Sequence, residues 1–252
     1  MLRVALLVLT IAGLVIARPA TAQVTQATDR VEEDWKLVVA TPDVAGVGPQ
    51  ITTSMCPAAD RTQAPFVAFD LNYREYPSFA PGGYQAQVWS GGQLLQNSTG
   101  GKTDQFATAN ETVTWTQRMS LSDGRVSYAI VSGSSTTWGD FGSSVSVSFT
   151  SSLASLSGYD PAISAANSGV SWQVNNVQEL TLVATRYYAN GVLLSTDTTQ
   201  RKLVSNGIAS SSTSTATCPG PQTFQPRMNR RFEAATMALA PGRSRRSPGR
   251  KT

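Results

Sequence analysis

The stretch from Glu111 to Val131, ETVTWTQRMSLSDGRVSYAIV, decides the fold class. Val113, Trp115, Met119 and Leu121 fall on one face, with Thr112, Thr114, Thr116, Arg118 and Ser120 opposite. After Asp123-Gly124 the alternation resumes, with Val126, Tyr128 and Ile130 inward. A period of two marks a strand buried on one side, and Asp-Gly between two such runs marks a tight hairpin.

The same period extends in both directions. Upstream, Trp35 to Ala40 is a short run rich in Val and Leu, ended by Pro42. Phe66 to Tyr73 places Val67, Phe69, Leu71 and Tyr73 against Ala68, Asp70 and Asn72. Tyr84 to Trp89 alternates before a Gly91-Gly92 turn and a run from Gln93 to Gln96. Downstream, Val145, Val147 and Phe149 alternate with serines, and Val170, Trp172 and Val174 with Ser171, Gln173 and Asn175. Leu180 to Ala189 and Val192 to Thr199 flank Asn190-Gly191, a type I′ hairpin signal. This gives about ten strands and a single helical turn over Ala162 to Asn167. Half-apolar strands bury their faces by packing sheet on sheet. The expectation is an all-β, antiparallel two-sheet jelly-roll sandwich, with Phe69, Leu71, Trp115, Tyr128, Phe149, Trp172 and Leu182 in its interior.

The ends of the 252-residue chain differ from this body. Arg3, the apolar run Val4 to Ala17 and Ala20-Thr21-Ala22 read as a signal peptide over residues 1–22, cleaved before Gln23. Fourteen residues rise only about 21 Å, too short for a bilayer, so the mature chain is expected to be exported without a membrane span. Periplasm, cell surface and extracellular space are equally compatible. The β domain is read as residues 23–204, followed by a Ser/Thr/Pro-rich linker at 205–225 and a basic disordered tail at 226–252. The whole-chain pI of about 9.3 is a sum over unlike pieces. Gln23 to Gln225 carries ten bases and fifteen acids, whereas the tail from Pro226 carries eight bases and one acid. The folded body is acidic, and the tail lacks the interleaved aromatics that stack on bases, so nucleic acid is not an expected partner.

There is no histidine and there are two cysteines. Ser-His-Asp and Cys-His nucleophile systems, histidine-bearing metal sites and Cys₄ zinc are thereby excluded, and no cofactor signature is present. Cys56 and Cys218 most simply pair with each other in an exported protein; two free thiols or an intermolecular bridge through Cys218 are the alternatives. Gly100-Gly101-Lys102-Thr103 is not a phosphate loop, because Gln96 stands where the first glycine belongs. Trp138-Gly139-Asp140-Phe141-Gly142 reads as an aromatic-anchored turn.

Three readings of function remain open. A pair of carboxylates would suffice for glycoside hydrolysis, but no two acids are spaced two apart within the strands as read. Asp70 and Glu179 could still meet from different strands. The polar sheet face is more suggestive. Asp70 and Asn72 share one face of their strand, and Gln85, Gln87 and Trp89 share one face of theirs. Amides and carboxylates read sugar hydroxyls and an indole stacks on the ring, so these five residues form a candidate polysaccharide site. The same face is also what any solvated sheet presents. A purely structural, self-associating surface protein is the third alternative.

The segment Val31-Glu32-Glu33-Asp34-Trp35 with Leu37-Val38-Val39 and Pro42-Asp43 resembles the start of a group of uncharacterised exported bacterial proteins of the planctomycete type. The similarity runs on through PFVAFDLNYREYPSF, GGYQAQVW and WGDFG. The resemblance implies export and a shared fold, and it assigns no catalytic residue. At the level of fold class the pattern also resembles concanavalin- and laminin-G-like sandwiches, whose members often bind glycans.

Overall fold

A continuous polar run, Glu32-Glu33-Asp34, sits inside the first strand, β1 (Arg30–Val39). The expected start at Trp35 is therefore corrected by five residues. Strict alternation explains how the strand accommodates three acids: Val31, Glu33, Trp35, Leu37 and Val39 face the interior, and Arg30, Glu32, Asp34 and Lys36 face outward.

The computed structural model describes residues 26–40, 49–58, 65–72, 82–106, 108–171 and 174–209. The signal-peptide reading of Met1 to Ala22, Trp172, Cys218 and the basic tail lie outside them. The chain continues through β2 (Gln50–Met55), β3 (Phe66–Leu71), β4 (Tyr84–Ser90), β5 (Gln93–Thr99), β6 (Thr112–Ser122) and β7 (Arg125–Ser135). Then come β8 (Gly139–Asp140), β9 (Ser146–Thr150), the helix α1 (Pro161–Ala166) and β10 (Gly169–Ser171). The last strands are β11 (Val177–Ala189), β12 (Val192–Asp197), β13 (Arg201–Ser205) and β14 (Ile208–Ala209). No described helix is long and apolar enough to cross a membrane.

These strands form two antiparallel sheets. The nine-stranded sheet runs β14-β13-β11-β1-β6-β7-β8, with β12 added to β11 and β9 to β7; the five-stranded sheet runs β10-β2-β3-β4-β5. The N-terminal strand thus lies at the centre of the larger sheet, between β6 and a late strand, β11. Asp123-Gly124, Asn190-Gly191 and Gly91-Gly92 all have positive φ at both central residues, the conformation that matches hairpin twist. Asn206-Gly207 does the same between β13 and β14. That Asn-Gly signal lies in the segment read as linker, so the β domain extends to Ala209 rather than ending at residue 204. A strand expected over Val170 to Val174 shrinks to β10, followed by a 3₁₀ turn at Val174–Asn176.

The core fills the space between the sheets. Trp35 stacks on Trp115 with centroids 6.1 Å apart and planes 7° from parallel, and Phe69 of the opposite sheet packs on Trp115 at 6.1 Å. Phe69, Leu71, Trp115, Tyr128, Phe149 and Leu182 are buried, as expected. Trp138 and Phe141 anchor the expected turn: Trp138 packs on Phe106 at 4.6 Å and Phe141 on Tyr84 at 4.9 Å. Phe141 fits because position 133 is glycine; a Cβ there would stand 2.2 Å from the ring.

Candidate functional site

Of the five residues singled out by sequence, Asp70, Gln85, Gln87 and Trp89 share a face, and Asn72 stands just past the end of β3 at φ 56°. Asp70 pairs with Gln85, and Phe66 with Trp89, across β3 and β4 on the outer side of the five-stranded sheet. The face is closed, however. Asp70, Asn72, Gln85 and Gln87 are each no more than 4% exposed, and Trp89 is half-buried against Cys56, Phe66 and Ala68. Their polar atoms are largely engaged internally. Thr52 Oγ1 donates to Asp70 Oδ1 at 2.5 Å, and Gln50 Nε2 donates to the same oxygen at 3.4 Å. Burial raises the Asp70 carboxyl from its ordinary 3.8 to about 6 against these two bonds. Asn72, at φ 56°, donates to Pro49 O at 2.9 Å and accepts from Phe106 N–H at 3.3 Å, locking the end of β3. Trp89 Nε1 donates to Gln87 Oε1 at 2.7 Å. Gln85 is the exception: neither amide atom has a hydrogen-bond partner. Asp70 and Glu179 do not meet, since they face outward from opposite sheets; Glu179 instead accepts from Lys36 Nζ at 2.8 Å.

The open face belongs to the nine-stranded sheet. Two β-bulges shape it. Between β1 and β11, Asp34 pairs with Ala184 and Trp35 with Leu182, which leaves Val183 unpaired. Between β6 and β7, Thr116 pairs with Ser132 and Gln117 with Ile130, which leaves Val131 unpaired. A bulge bends its strand and increases local twist. Here the two flank the β1–β6 pair at the level where Asp34 faces Thr116. Between them lies a shallow groove of about 740 Å³, with Val131 and Val183 in its lining. Its polar lining comes from Asp34 and Lys36 of β1, Thr114 and Thr116 of β6, Ser132 and Ser134 of β7, and Asp140 of β8. A second depression of about 330 Å³ on the same sheet carries Arg118, Ser120, Ser127, Ser146 and Ser148, with Gln96 reaching over from β5.

Charges on this face are mostly paired with one another. Arg186 grips Asp34 with both terminal nitrogens, Nη2 at 2.8 Å from Oδ1, and its Nε lies 3.4 Å from Glu32 Oε2. Thr116 Oγ1 donates to Asp34 Oδ1 at 2.7 Å. Arg118 Nε donates to Glu32 Oε1 at 2.7 Å, and Tyr188 donates to Oε2 at 3.1 Å. Burial pushes the Glu32 carboxyl up, but Arg118, Tyr188 and Arg186 together hold it below its ordinary value. By contrast, Thr114, Ser132, Ser134 and Asp140 make no side-chain hydrogen bond among the described residues, and Asp140 is exposed. These are the groups free to meet a ligand.

Glu32 and Asp34 are two acids spaced two apart on one strand face, a pair hidden from the sequence reading by the late strand start. They do not form a glycosidase pair. A general acid needs a raised pKa, whereas the Glu32 carboxyl is held below its ordinary value by Arg118, Tyr188 and Arg186. Asp34 and Asp140 border one groove but stand three strands apart, about 14 Å at strand spacing, against the roughly 5–9.5 Å such chemistry requires.

Sequence reasoning also missed a buried polar network. Gln117 faces the core, where Thr53 of the opposite sheet donates to its Oε1 at 2.9 Å and Tyr128 at 3.0 Å. Its Nε2 donates to Glu33 Oε2 at 2.8 Å, and Trp35 Nε1 donates to the same oxygen at 2.9 Å. Tyr159 closes the network, donating to Glu33 Oε1 at 2.5 Å and bonding Ser164 of α1 at 2.8 Å. Burial raises the Glu33 carboxyl from 4.5 to about 7 despite the donors from Tyr159, Trp35 and Gln117. Glu33 has no exposed surface, so it belongs to the buried network and does not line the groove. No group of three His, Cys, Asp or Glu among the described residues could hold a metal ion.

No protein-family model matches the chain, and no curated protein does. Among solved structures, Scytalido-glutamic peptidase with a peptide-based transition state analog is 11% identical, with 72% of this chain and 85% of that chain covered and a TM-score of 0.27. SCP-B, a member of the Eqolisin family of peptidases in complex with the tripeptide Ala-Ile-His, is 10% identical over 72% and 84% of the two chains, with a TM-score of 0.28. Likeness at this level carries no functional argument, and the site must be read from its own geometry.

Proposed function

We propose that this is an exported β-sandwich protein that binds an extended hydroxyl-bearing polymer, a polysaccharide before others, along the outer face of its nine-stranded sheet. The carrying observation is the groove between the two bulges, with the unengaged hydroxyls of Thr114, Ser132 and Ser134 beside Asp140. Hydroxyls donate and accept alike, which suits a partner whose own groups are hydroxyls. The groove has the volume of a small-ligand site yet is shallow, and the neighbouring depression extends its track along the same sheet. Export is supported by the Met1 to Ala22 segment. The ligand role expected for Gln85, Gln87 and Trp89 moves to this other sheet because their own face is covered. A polysaccharide panel probed by pull-down and calorimetry tests the reading: Ser132→Trp, which fills the groove, abolishes binding, and Trp89→Ala leaves it unchanged. Binding indifferent to Ser132→Trp refutes it.

A second reading, self-association as a structural surface protein, is favoured by one observation. Among the described residues β12 pairs only with β11, and it exposes Val192, Leu193 and Leu194 at 59%, 50% and 40%. An edge strand of this kind is a template for another chain. Light scattering across a concentration series tests it; Leu193→Lys should keep the chain monomeric if the edge drives assembly.

A further inference from the structure

We infer that the bound polysaccharide is anionic, and that a carboxylate or sulfate of the chain sits in the smaller depression beside Arg118. The inference rests on the binding reading above and names the chemical class of its ligand.

The first observation is where the charges lie. The described residues hold eight Lys and Arg against twelve Asp and Glu, an acidic body as a whole. Yet six of the eight bases, Arg30, Lys36, Arg118, Arg125, Arg186 and Lys202, fall on outward positions of the nine-stranded sheet. Four of the twelve acids share that face, namely Glu32, Asp34, Asp140 and Glu179. The rest of the described molecule keeps two bases against eight acids. One face is thus locally positive on an otherwise negative protein, a distribution that steers a polyanion to it.

The second is the depression itself. Thr114, Thr116, Arg118 and Ser120 are successive outward positions of β6, about 7 Å apart at strand rise. The first two line the large groove and the last two the depression of about 330 Å³, so both belong to one track. Among the described residues no carboxylate lines the depression. Arg118 spends only Nε on Glu32, at 2.7 Å, and its two terminal nitrogens make no hydrogen bond among the described residues. Arg30 stands opposite Ser120, its Nε without a hydrogen-bond partner and 3.8 Å from Glu32. Arg125 holds Ser148 Oγ with Nε at 3.0 Å and Nη2 at 2.7 Å, which leaves the Ser148 proton free to donate. Ser120, Ser127 and Ser146 make no side-chain hydrogen bond among the described residues. A guanidinium fork ringed by hydroxyl donors suits a carboxylate or a sulfate.

The third is how the acids nearby are engaged. Glu32 is met by Arg118, Arg186 and Tyr188, and Asp34 by Arg186 and Thr116, so neither presents a bare charge to an incoming anion. The Arg30 guanidinium caps the Tyr188 ring 3.9 Å from its centroid, so that ring is not open to a nucleobase. A sugar chain needs no stacking ring here. Its hydroxyls meet Thr114, Ser132 and Ser134 while its charge meets Arg118.

Dextran, carboxymethyl dextran and dextran sulfate share one backbone and differ in charge, and calorimetry with the full chain compares them. A charged form should bind at least about 10-fold tighter than dextran, and about 0.5 M NaCl should remove most of that difference. The tighter of the two charged forms identifies carboxylate or sulfate as the group held. Ser146→Glu puts a carboxylate into the depression without touching the Arg118–Glu32 pair; it should weaken the charged polymer about 10-fold and leave dextran unchanged. Lys102→Gln, an exposed base off this face, should change neither. Charged-polymer binding indifferent to Ser146→Glu assigns the attraction to the basic tail and overturns the inference. Equal binding of all three polymers, abolished by Ser132→Trp, overturns it while the groove reading stands. Charged binding weakened by Ser146→Glu but not by Ser132→Trp upholds the anionic site and refutes the groove. Duplex DNA bound as tightly, with the same Ser146→Glu loss, shows that the face reads charge alone and overturns the polysaccharide class.

Discussion

Gln117 Nε2 donates to Glu33 Oε2 over 2.8 Å in the middle of the sandwich, and through Gln117 Oε1 the bond continues to Thr53 of the opposite sheet. This is a polar tie in the buried middle of the sandwich, whereas the bonds from β9 to Gln96 and Ser98 of β5 join the two sheets at their exposed edge. Removing one partner of such a network leaves the others buried without bonds. Gln117→Leu strands Glu33, Thr53 and Tyr128 together, and should cost about 2–4 kcal/mol in urea unfolding, more than Leu would cost at an ordinary core site.

The pH dependence of stability should run opposite to that of most proteins. Glu33 and Asp70 are raised to about 7 and about 6. Between their unfolded and folded pKa values the folded chain binds more protons, so stability falls as pH rises from about 4 to about 7. Each contributes on the order of 3 kcal/mol at most. Glu32 and Glu179, both lowered, and Asp197, lowered to about 2, act the other way only as pH falls below about 4.5. The urea midpoint should therefore be higher at pH 5 than at pH 8. Glu33→Gln should flatten much of that slope, matching the native chain near pH 4.5 and exceeding it at pH 8.

Gly133→Ala should destabilise by about 1–3 kcal/mol, the usual range for overpacking. Its methyl group would enter the Phe141 ring, and Phe141 is held by Tyr84 and Trp138. Thermal unfolding reads the loss, and Phe141→Leu in the same chain should restore part of it.

Arg186→Met should weaken the chain by about 1–2 kcal/mol, since Asp34 loses its bidentate partner and Glu32 one of its cations. Added salt should shrink the difference between the two chains, because this face is partly open to solvent. A loss unchanged in 1 M salt would point to packing rather than charge.

The sandwich was legible because strands write their period into sequence. Val113 and Trp115, or Val126 and Tyr128, alternate with hydroxyl residues whatever the chain around them does. Asp123-Gly124 and Asn190-Gly191 name their turns for an equally local reason. β1 was misread at its start because Glu33 breaks the apolar pattern at a position the fold nonetheless buries. Asn206-Gly207 is an equally local turn signal, but the serines that follow it give the segment the composition of a linker.

The functional faces were less accessible. That Asp70, Gln85 and Trp89 share one side of a sheet follows from alternation; that this side is covered depends on chain arriving from elsewhere. The groove depends on two bulges, each defined by pairing between strands far apart in sequence, such as Asp34 with Ala184. Sequence alone therefore settled the class of fold, the hairpins and the inward face of most strands, since these rest on interactions between near neighbours. Only the tertiary structure decided which sheet is open, where Glu33 and Gln117 meet, and which acids are neutralised by Arg186, because each depends on register and on contacts that no local pattern encodes.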